Sequence, residues 1–274
     1  MPIERPITGL AAHTAAFPGP HLDMVMASIL AGHTTGRLWE IAQDGTEPLL
    51  LLWDQGNNVF YLGGQAANEA ARTRLEELLL GEVRAATLAA GRPYFKAHAL
   101  NPALEADLGT LLAGVEHRER TFLFYGPGSL PAVPEPELPG LRFAPINRTL
   151  LADDTLAGIA EVREEIGLMW PTQHHFEEHG FGWAALLERE IVCWCTAEYA
   201  SGRACGIGIT TAEAYQGRGI ATATAARFAQ ESARRGVTCF WECNAANTPS
   251  RRVAEKLGFR LLAEERYVVG FFAE

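Results

Sequence analysis

The stretch from Tyr125 to Gly140, Tyr-Gly-Pro-Gly-Ser-Leu-Pro-Ala-Val-Pro-Glu-Pro-Glu-Leu-Pro-Gly, constrains this chain more than any other. Proline fixes φ and lacks an N–H, so no helix or central strand can run through it. The 274 residues also exceed what one core usually organises, roughly 100–200 residues per domain. Two domains are expected, residues 1–135 and 136–274.

Composition narrows the function classes. Apolar residues make up 48% and charged residues 20%, a globular balance that excludes a largely disordered chain. A net charge of −10 argues against a general nucleic-acid binder, which needs a basic face. Apolar runs such as Leu49 to Trp53 fall far short of the roughly 20 residues that span a bilayer, so no membrane partner is expected. Met1-Pro-Ile-Glu-Arg5 shows no basic-then-apolar leader. The expectation is a soluble cytoplasmic protein. Its five cysteines all lie between Cys193 and Cys243, within strand-like sequence. They read as small buried hydrophobes in a reducing compartment, and neither zinc nor a disulfide is expected.

The first half alternates strand and helix signals. Leu49 to Trp53 and Val59 to Leu62 flank Asp54-Gln-Gly-Asn-Asn58 as a hairpin. Ala66 to Leu80 has helical periodicity, a further helix starts near Pro102, and Tyr94 to Leu100 and Thr121 to Tyr125 read as strands. His98 and His117 stand isolated and suggest no chemistry. In the second half the pattern predicts a helix over Asp153 to Gly167 and strands over Gly182 to Leu187, Glu190 to Glu198 and Arg203 to Thr211. A helix over Ala221 to Arg235, a strand over Val237 to Cys243, a helix over Pro249 to Leu257 and a strand-like end over Leu261 to Phe272 follow. The fold class is α/β (α+β).

Chemistry concentrates between a strand and a helix, in Thr210-Thr-Ala-Glu-Ala-Tyr-Gln-Gly-Arg-Gly-Ile-Ala-Thr222. Gly217 and Gly219 let successive N–H groups turn one way, and the following helix offers unpaired N–H groups at its positive dipole end. Together they form an anion cradle suited to a pyrophosphate. The segment lacks the Lys-Ser/Thr ending of a nucleoside-triphosphate loop and the three glycines of a dinucleotide fold. From Ala214 to Gly258 seven basic residues stand against three acidic ones, a basic patch expected to surround the cradle. Asn247-Thr-Pro-Ser250 opens the next helix, where Asn247 can cap it or reach a bound ligand.

Gln216-Gly-Arg-Gly-Ile-Ala221 resembles the (Gln/Arg)-x-x-Gly-x-(Gly/Ala) acetyl-CoA loop of the Gcn5-related N-acetyltransferases (GNAT). Asn247-x-x-Ser250 followed by Glu255-Lys-Leu-Gly-Phe259 is similar to that family's second signature. The likeness covers about residues 141–273. A closer likeness is to the subfamily containing zwittermicin A resistance acetyltransferases, through Trp170, Phe176, Gly180-Phe-Gly182, Trp241-Glu-Cys-Asn244 and an N-terminal α/β extension. The resemblance implies a central mixed, largely antiparallel sheet flanked by helices, with a smaller N-terminal α/β domain shaping the acceptor site. It implies acetyl-CoA as co-substrate and no metal. Ile209, Thr210 and Thr211 would splay from Val237 to Cys243 and offer backbone to the pantetheine. The amides of Gly217, Arg218, Gly219, Ile220, Ala221 and Thr222, with Gln216 before them, would hold the pyrophosphate, and Asn247 and Ser250 would approach from the opposite side.

Acetyl transfer to an amine needs an acceptor for the ammonium proton. The positions where the family usually carries its glutamate and its tyrosine are Gly206 and Ala254 here. The remaining candidates are Glu198 at a strand end, His174, His175 and, as an acid, Tyr267. For each a structural role competes: a turn-flanking carboxylate, exposed loop histidines, a core tyrosine. Cys205 has no adjacent histidine, so direct transfer is expected over a covalent intermediate. The leading reading is an acetyl-CoA-dependent N-acetyltransferase acting on a primary amine of a small metabolite or aminopolyol-type antibiotic, as a monomer or homodimer. The alternatives are a protein N-terminal acetyltransferase and a non-catalytic acetyl-CoA sensor.

Overall fold

The computed structural model describes residues 1–43, 47–65 and 67–273. The chain forms two compact units, Met1–Thr121 with Arg266–Glu274, and Phe122–Glu265.

In the first unit β1 (Ile3–Arg5) is followed by helix α1 (Pro20–Leu30) and three antiparallel strands, β2 (Gly36–Ile41), β3 (Leu49–Asp54) and β4 (Val59–Gly64). Helices α2 (Glu69–Leu78) and α3 (Arg84–Ala89) lead to β5 (Tyr94–Ala99), which pairs parallel with β4 over Val59–Leu62 and Lys96–Ala99. Helix α4 (Pro102–Leu111) precedes β6 (Glu116–Gly126). One face of the sheet packs Trp39, Leu51, Phe60 and Phe95 against Leu75, Leu104 and Leu108 of the helices. The expected hairpin at 54–58 is present, with Asn58 left-handed at its end. Helix α1 is an element the sequence reading left out. It starts at Pro20 in the first-turn position that proline favours, and no side chain caps it.

The second unit repeats that element order. After β7 (Leu141–Pro145) come helices α5 (Arg148–Leu151), α6 (Ile159–Met169) and α7 (Gln173–His179), then antiparallel β8 (Gly182–Leu187), β9 (Glu190–Glu198) and β10 (Ala204–Thr211). Helix α8 (Ile220–Arg234), strands β11 (Thr238–Cys239) and β12 (Trp241–Asn244), helix α9 (Thr248–Lys256) and β13 (Arg260–Phe271) complete the chain. The main sheet runs β11-β10-β9-β8-β7. The helix expected from Asp153 begins only at Ile159, after left-handed Gly158. Asp153 instead accepts from Thr155 N at 3.0 Å and pairs with Arg189 at 3.0 Å, so the acids mark a turn.

The division differs from the boundary at 135/136 read from the proline-rich stretch. That stretch lies wholly within the second unit, and the compact units part at 121/122 instead. The second unit is continuous and opens with the end of β6, whereas the first also takes in residues 266–274 from the far end of the chain. Phe122–Tyr125 of β6 pairs with Asn244–Trp241 of β12 inside the second unit. Val268–Phe271 of β13 pairs with Ala97–Tyr94 of β5 inside the first.

Candidate active site

Strand β10 pairs along one edge with β9 from its third residue to its last, Gly206–Thr211 against Glu198–Cys193. Its other edge pairs with β11 only at Ala204 and Cys205. At Phe240 the chain leaves that edge, and the four residues of β12 pair with β6 instead. The strand expected over Val237 to Cys243 is therefore two strands, and among the described residues no strand pairs with the β10 edge from Gly206 to Thr211. Ile209, Thr210 and Thr211 lie on this unpaired edge. Phe240 stacks on Phe124 of β6 with centroids 5.3 Å apart, which fixes the switch.

The cradle stands at the open end of that edge. Gly217 (φ 73°) and Gly219 (φ 79°) are both left-handed, and an added Cβ at either would meet nothing within 4 Å. Glycine is needed there for the turn rather than for want of room. Gly219 is the N-cap of α8, no side chain caps the helix, and no acid lies in its first turn. The fifteen-residue helix thus presents uncapped N–H groups at its positive end. Its first residue is rigidly anchored, because Ile220 is 1% exposed and packs on Ala185, Val192 and Cys193. Gln216 Nε2 donates to Thr211 O at 3.1 Å, holding the loop against the end of β10. Ala221 packs beside Ile220, and Thr222 is buried.

The basic patch is more scattered than its sequence spacing suggests. Arg218 is exposed at the cradle, 5.9 Å from the Tyr215 ring. Arg234 and Arg235 pair with Glu231 at the far end of α8, roughly 20 Å away at 1.5 Å per residue. Arg227 pairs with Glu135 at 2.6 Å and covers Phe143. Asn247 caps α9 by accepting from Ser250 N at 3.2 Å, and Ser250 Oγ accepts from Trp241 Nε1 at 3.0 Å. Both residues hold structural hydrogen bonds.

Glu198 sits opposite Gly206 in the β9–β10 register, with Thr196 opposite Gly208. These four positions share one face of the sheet. A Cβ on Gly208 would collide with Glu198 Oε1 and come within 3.3 Å of Thr196 Oγ1. The Glu198 carboxylate therefore lies over β10 in space that the two glycines leave vacant. It stands on the face, and next to the position, where a carboxylate at 206 would project. The sequence reading found Glu198 but not this close approach, for which the alternation Gly206-x-Gly208 was the available signal.

The other proton-carrier candidates are placed differently. His174 is exposed on α7 and pairs with Glu178 at 3.4 Å. The His175 ring lies 4.6 Å from that of His179 and 6.1 Å from Trp170. A cleft of about 450 Å³ borders α7, but Phe176 and Glu177 line it rather than these histidines. Tyr267 belongs to the first unit, 1% exposed and stacked on His98 at 4.5 Å, as a core tyrosine would be. Ala254 is fully buried. Burial pushes the Cys205 thiol far up, and Cys239 and Glu198 add to the effect, so no nucleophilic thiolate forms there near neutrality. Among the described residues no group of His, Cys, Asp and Glu could hold a metal ion. No helix among them is long and apolar enough to cross a membrane.

Comparison with known proteins agrees with this geometry. Residues 141–268 match the GNAT acetyltransferase family model. An uncharacterized N-acetyltransferase of Bacillus subtilis (strain 168), YdfB, is 30% identical over 125 residues, which is 46% of each chain. The chain therefore spans about half the length of the curated relative it matches. Among solved structures, a GCN5-related N-acetyltransferase-like protein from Streptococcus suis 89/1591 superposes with a TM-score of 0.65 at 18% identity, covering 95% of this chain and 98% of its own. A tandem GNAT protein from the clavulanic acid biosynthesis pathway gives 0.54 at 14% identity over 98% and 93%. A GCN5-related N-acetyltransferase from Sphaerobacter thermophilus gives 0.56 at 17% over 98% and 94%. The fold of the whole chain is that of the GNAT proteins it superposes on, and residues 141–268 are similar to the GNAT acetyltransferase family.

Proposed function

We propose that this protein transfers an acetyl group from acetyl-CoA to a primary amine of a small molecule, a metabolite or an aminopolyol-type antibiotic, directly and without an acetylated enzyme. The observation that carries the reading is the uncapped, glycine-turned N-terminus of α8 at the open end of the β10 edge. Acetyl-CoA supplies the activated acetyl thioester. The amides from Gly217 to Thr222 take its pyrophosphate, with Arg218 adding charge and Gln216 bracing the loop. The free backbone edge at Ile209, Thr210 and Thr211 takes the pantetheine amides, and Asn247 and Ser250 flank the opposite side. The motif likeness to zwittermicin A resistance acetyltransferases supports the choice of acceptor class.

Glu198 accepts the ammonium proton of the acceptor, directly or through one water, so that the neutral amine can attack. Support comes from its carboxylate lying over Gly206 and Gly208 on β10. The raised Cys205 thiol favours direct transfer. Calorimetry tests the donor site. Pantetheine, which lacks the pyrophosphate, should bind on the order of 100-fold more weakly than CoA, since two charge-assisted amide bonds contribute about 3 kcal/mol together. Gly219→Val should weaken CoA binding more than its left-handed strain, about 1–2 kcal/mol, lowers folding stability. Equal affinities for CoA and pantetheine would move the donor site elsewhere.

A further inference from the structure

A second cavity of about 390 Å³ lies along α9, lined by none of the residues from 209 to 222. Its volume falls within the range of small-molecule sites, about 300–1,000 Å³. Arg251 lines it together with Tyr125 of β6, Glu255, Glu264, Leu123 and Phe259. Arg251 Nη1 donates to Ala245 O at 3.3 Å, and its side chain hydrogen-bonds the Tyr125 hydroxyl. Its Nε–H has no hydrogen-bond partner among the described residues but is closed to solvent, so a ligand in the cavity meets the guanidinium's terminal nitrogens. A guanidinium presents a planar fork that fits a carboxylate with two parallel bonds.

A plain anion is a poor occupant, because Glu255 and Glu264 repel it. A ligand that carries an ammonium next to its carboxylate satisfies both signs at once. Leu123 and Phe259 then offer an apolar surface to whatever projects from the same carbon. We propose that this cavity binds an α-amino acid with an apolar side chain, its carboxylate on Arg251 beside Tyr125 and its ammonium toward Glu255 and Glu264. The site is distinct from the donor cradle, and its occupation does not depend on acetyl transfer.

Titration calorimetry on the full chain, without CoA, tests this with L-leucine. Leucine should bind saturably with a Kd on the order of 1 mM or tighter. Its methyl ester, which lacks the carboxylate, and N-acetyl-L-leucine, which lacks the ammonium, should each bind at least about tenfold more weakly, the loss of one charged contact. Arg251→Gln should lower leucine affinity to that of the ester. Glu255→Gln combined with Glu264→Gln should erase the difference between leucine and N-acetyl-leucine. No leucine binding at concentrations on the order of 10 mM, or equal affinity for the ester, overturns the proposal. The ester comparison needs no variant, so a poorly folding Arg251→Gln leaves the test decisive.

Discussion

Gly208→Ala adds one methyl group on the sheet face that carries Glu198. The new Cβ would collide with Glu198 Oε1, with Thr196 Oγ1 at 3.3 Å closing one flank. Ordinary contact lies near 3.5–4.0 Å, so the carboxylate must retreat by more than about 1 Å. A displacement of that size costs on the order of 100-fold in a positioned reaction step. Deleting the carboxylate's basicity with Glu198→Gln removes about 10²–10⁴-fold. Gly208→Ala should therefore lower kcat about 100-fold while KM for acetyl-CoA changes less than about threefold, since the cradle lies beyond the strand's other end. Once the carboxylate is gone, the methyl group has nothing to displace. The double variant Gly208→Ala/Glu198→Gln should be no slower than Glu198→Gln alone, and the cycle should show strong coupling. Thiol release from acetyl-CoA with a saturating amine reads all four rates, and raising the pH should shrink the defects as more amine is already neutral. Losses that simply multiply in the double variant, or a Gly208→Ala enzyme at full rate, would refute the placement of Glu198 as the proton acceptor.

Two other outcomes follow from the paired architecture. In the first unit β4 and β5 stay paired over four residues, and Asn68 caps α2 by accepting from Ala71 N at 2.8 Å, so the position matching the cradle is already closed. CoA titration should give one site per chain, and a stoichiometry of two would contradict that closure. A chain beginning at Leu138 lacks Phe122–Tyr125, the only strand paired with β12 among the described residues. It should fail to fold cooperatively by circular dichroism, and a stable truncated protein that binds CoA with native affinity would show that β12 needs no such partner.

Much of the glycine turn before α8 was legible because its signals are local. The two glycines, the strand before them and the amphipathic helix after them all lie within about 30 residues, and their spacing alone fixes the turn. Gly236 and Gly258, each just past a helix's last turn, are left-handed and end α8 and α9 in the same local way. What stayed hidden depends on partners distant in sequence. The break at Phe240 falls within an unbroken strand-like run, and it arises from the Phe124 ring on another strand. The Glu198–Gly208 approach requires the β9–β10 register, which the turn after left-handed Tyr199 sets. Asp153 misled because an acid before an apolar run suits a helix start and a hydrogen-bonded turn equally well. Nothing in the residues of β6 or β13 says which half of the chain each completes, because strand propensity is the same beside either neighbour.

The first unit's late strand sets an order on biosynthesis. A ribosome releases the first unit's other strands long before it makes Val268–Phe271, which pair with Ala97–Tyr94. Throughout translation of the second half, β5 waits with an unfilled edge, and such edges recruit other chains. The nascent protein is thus most vulnerable to association until Val268–Phe271 emerge. A premature stop or a bulky fusion close behind Phe271 would prolong that exposure, whereas the donor cradle, finished earlier, would already be formed.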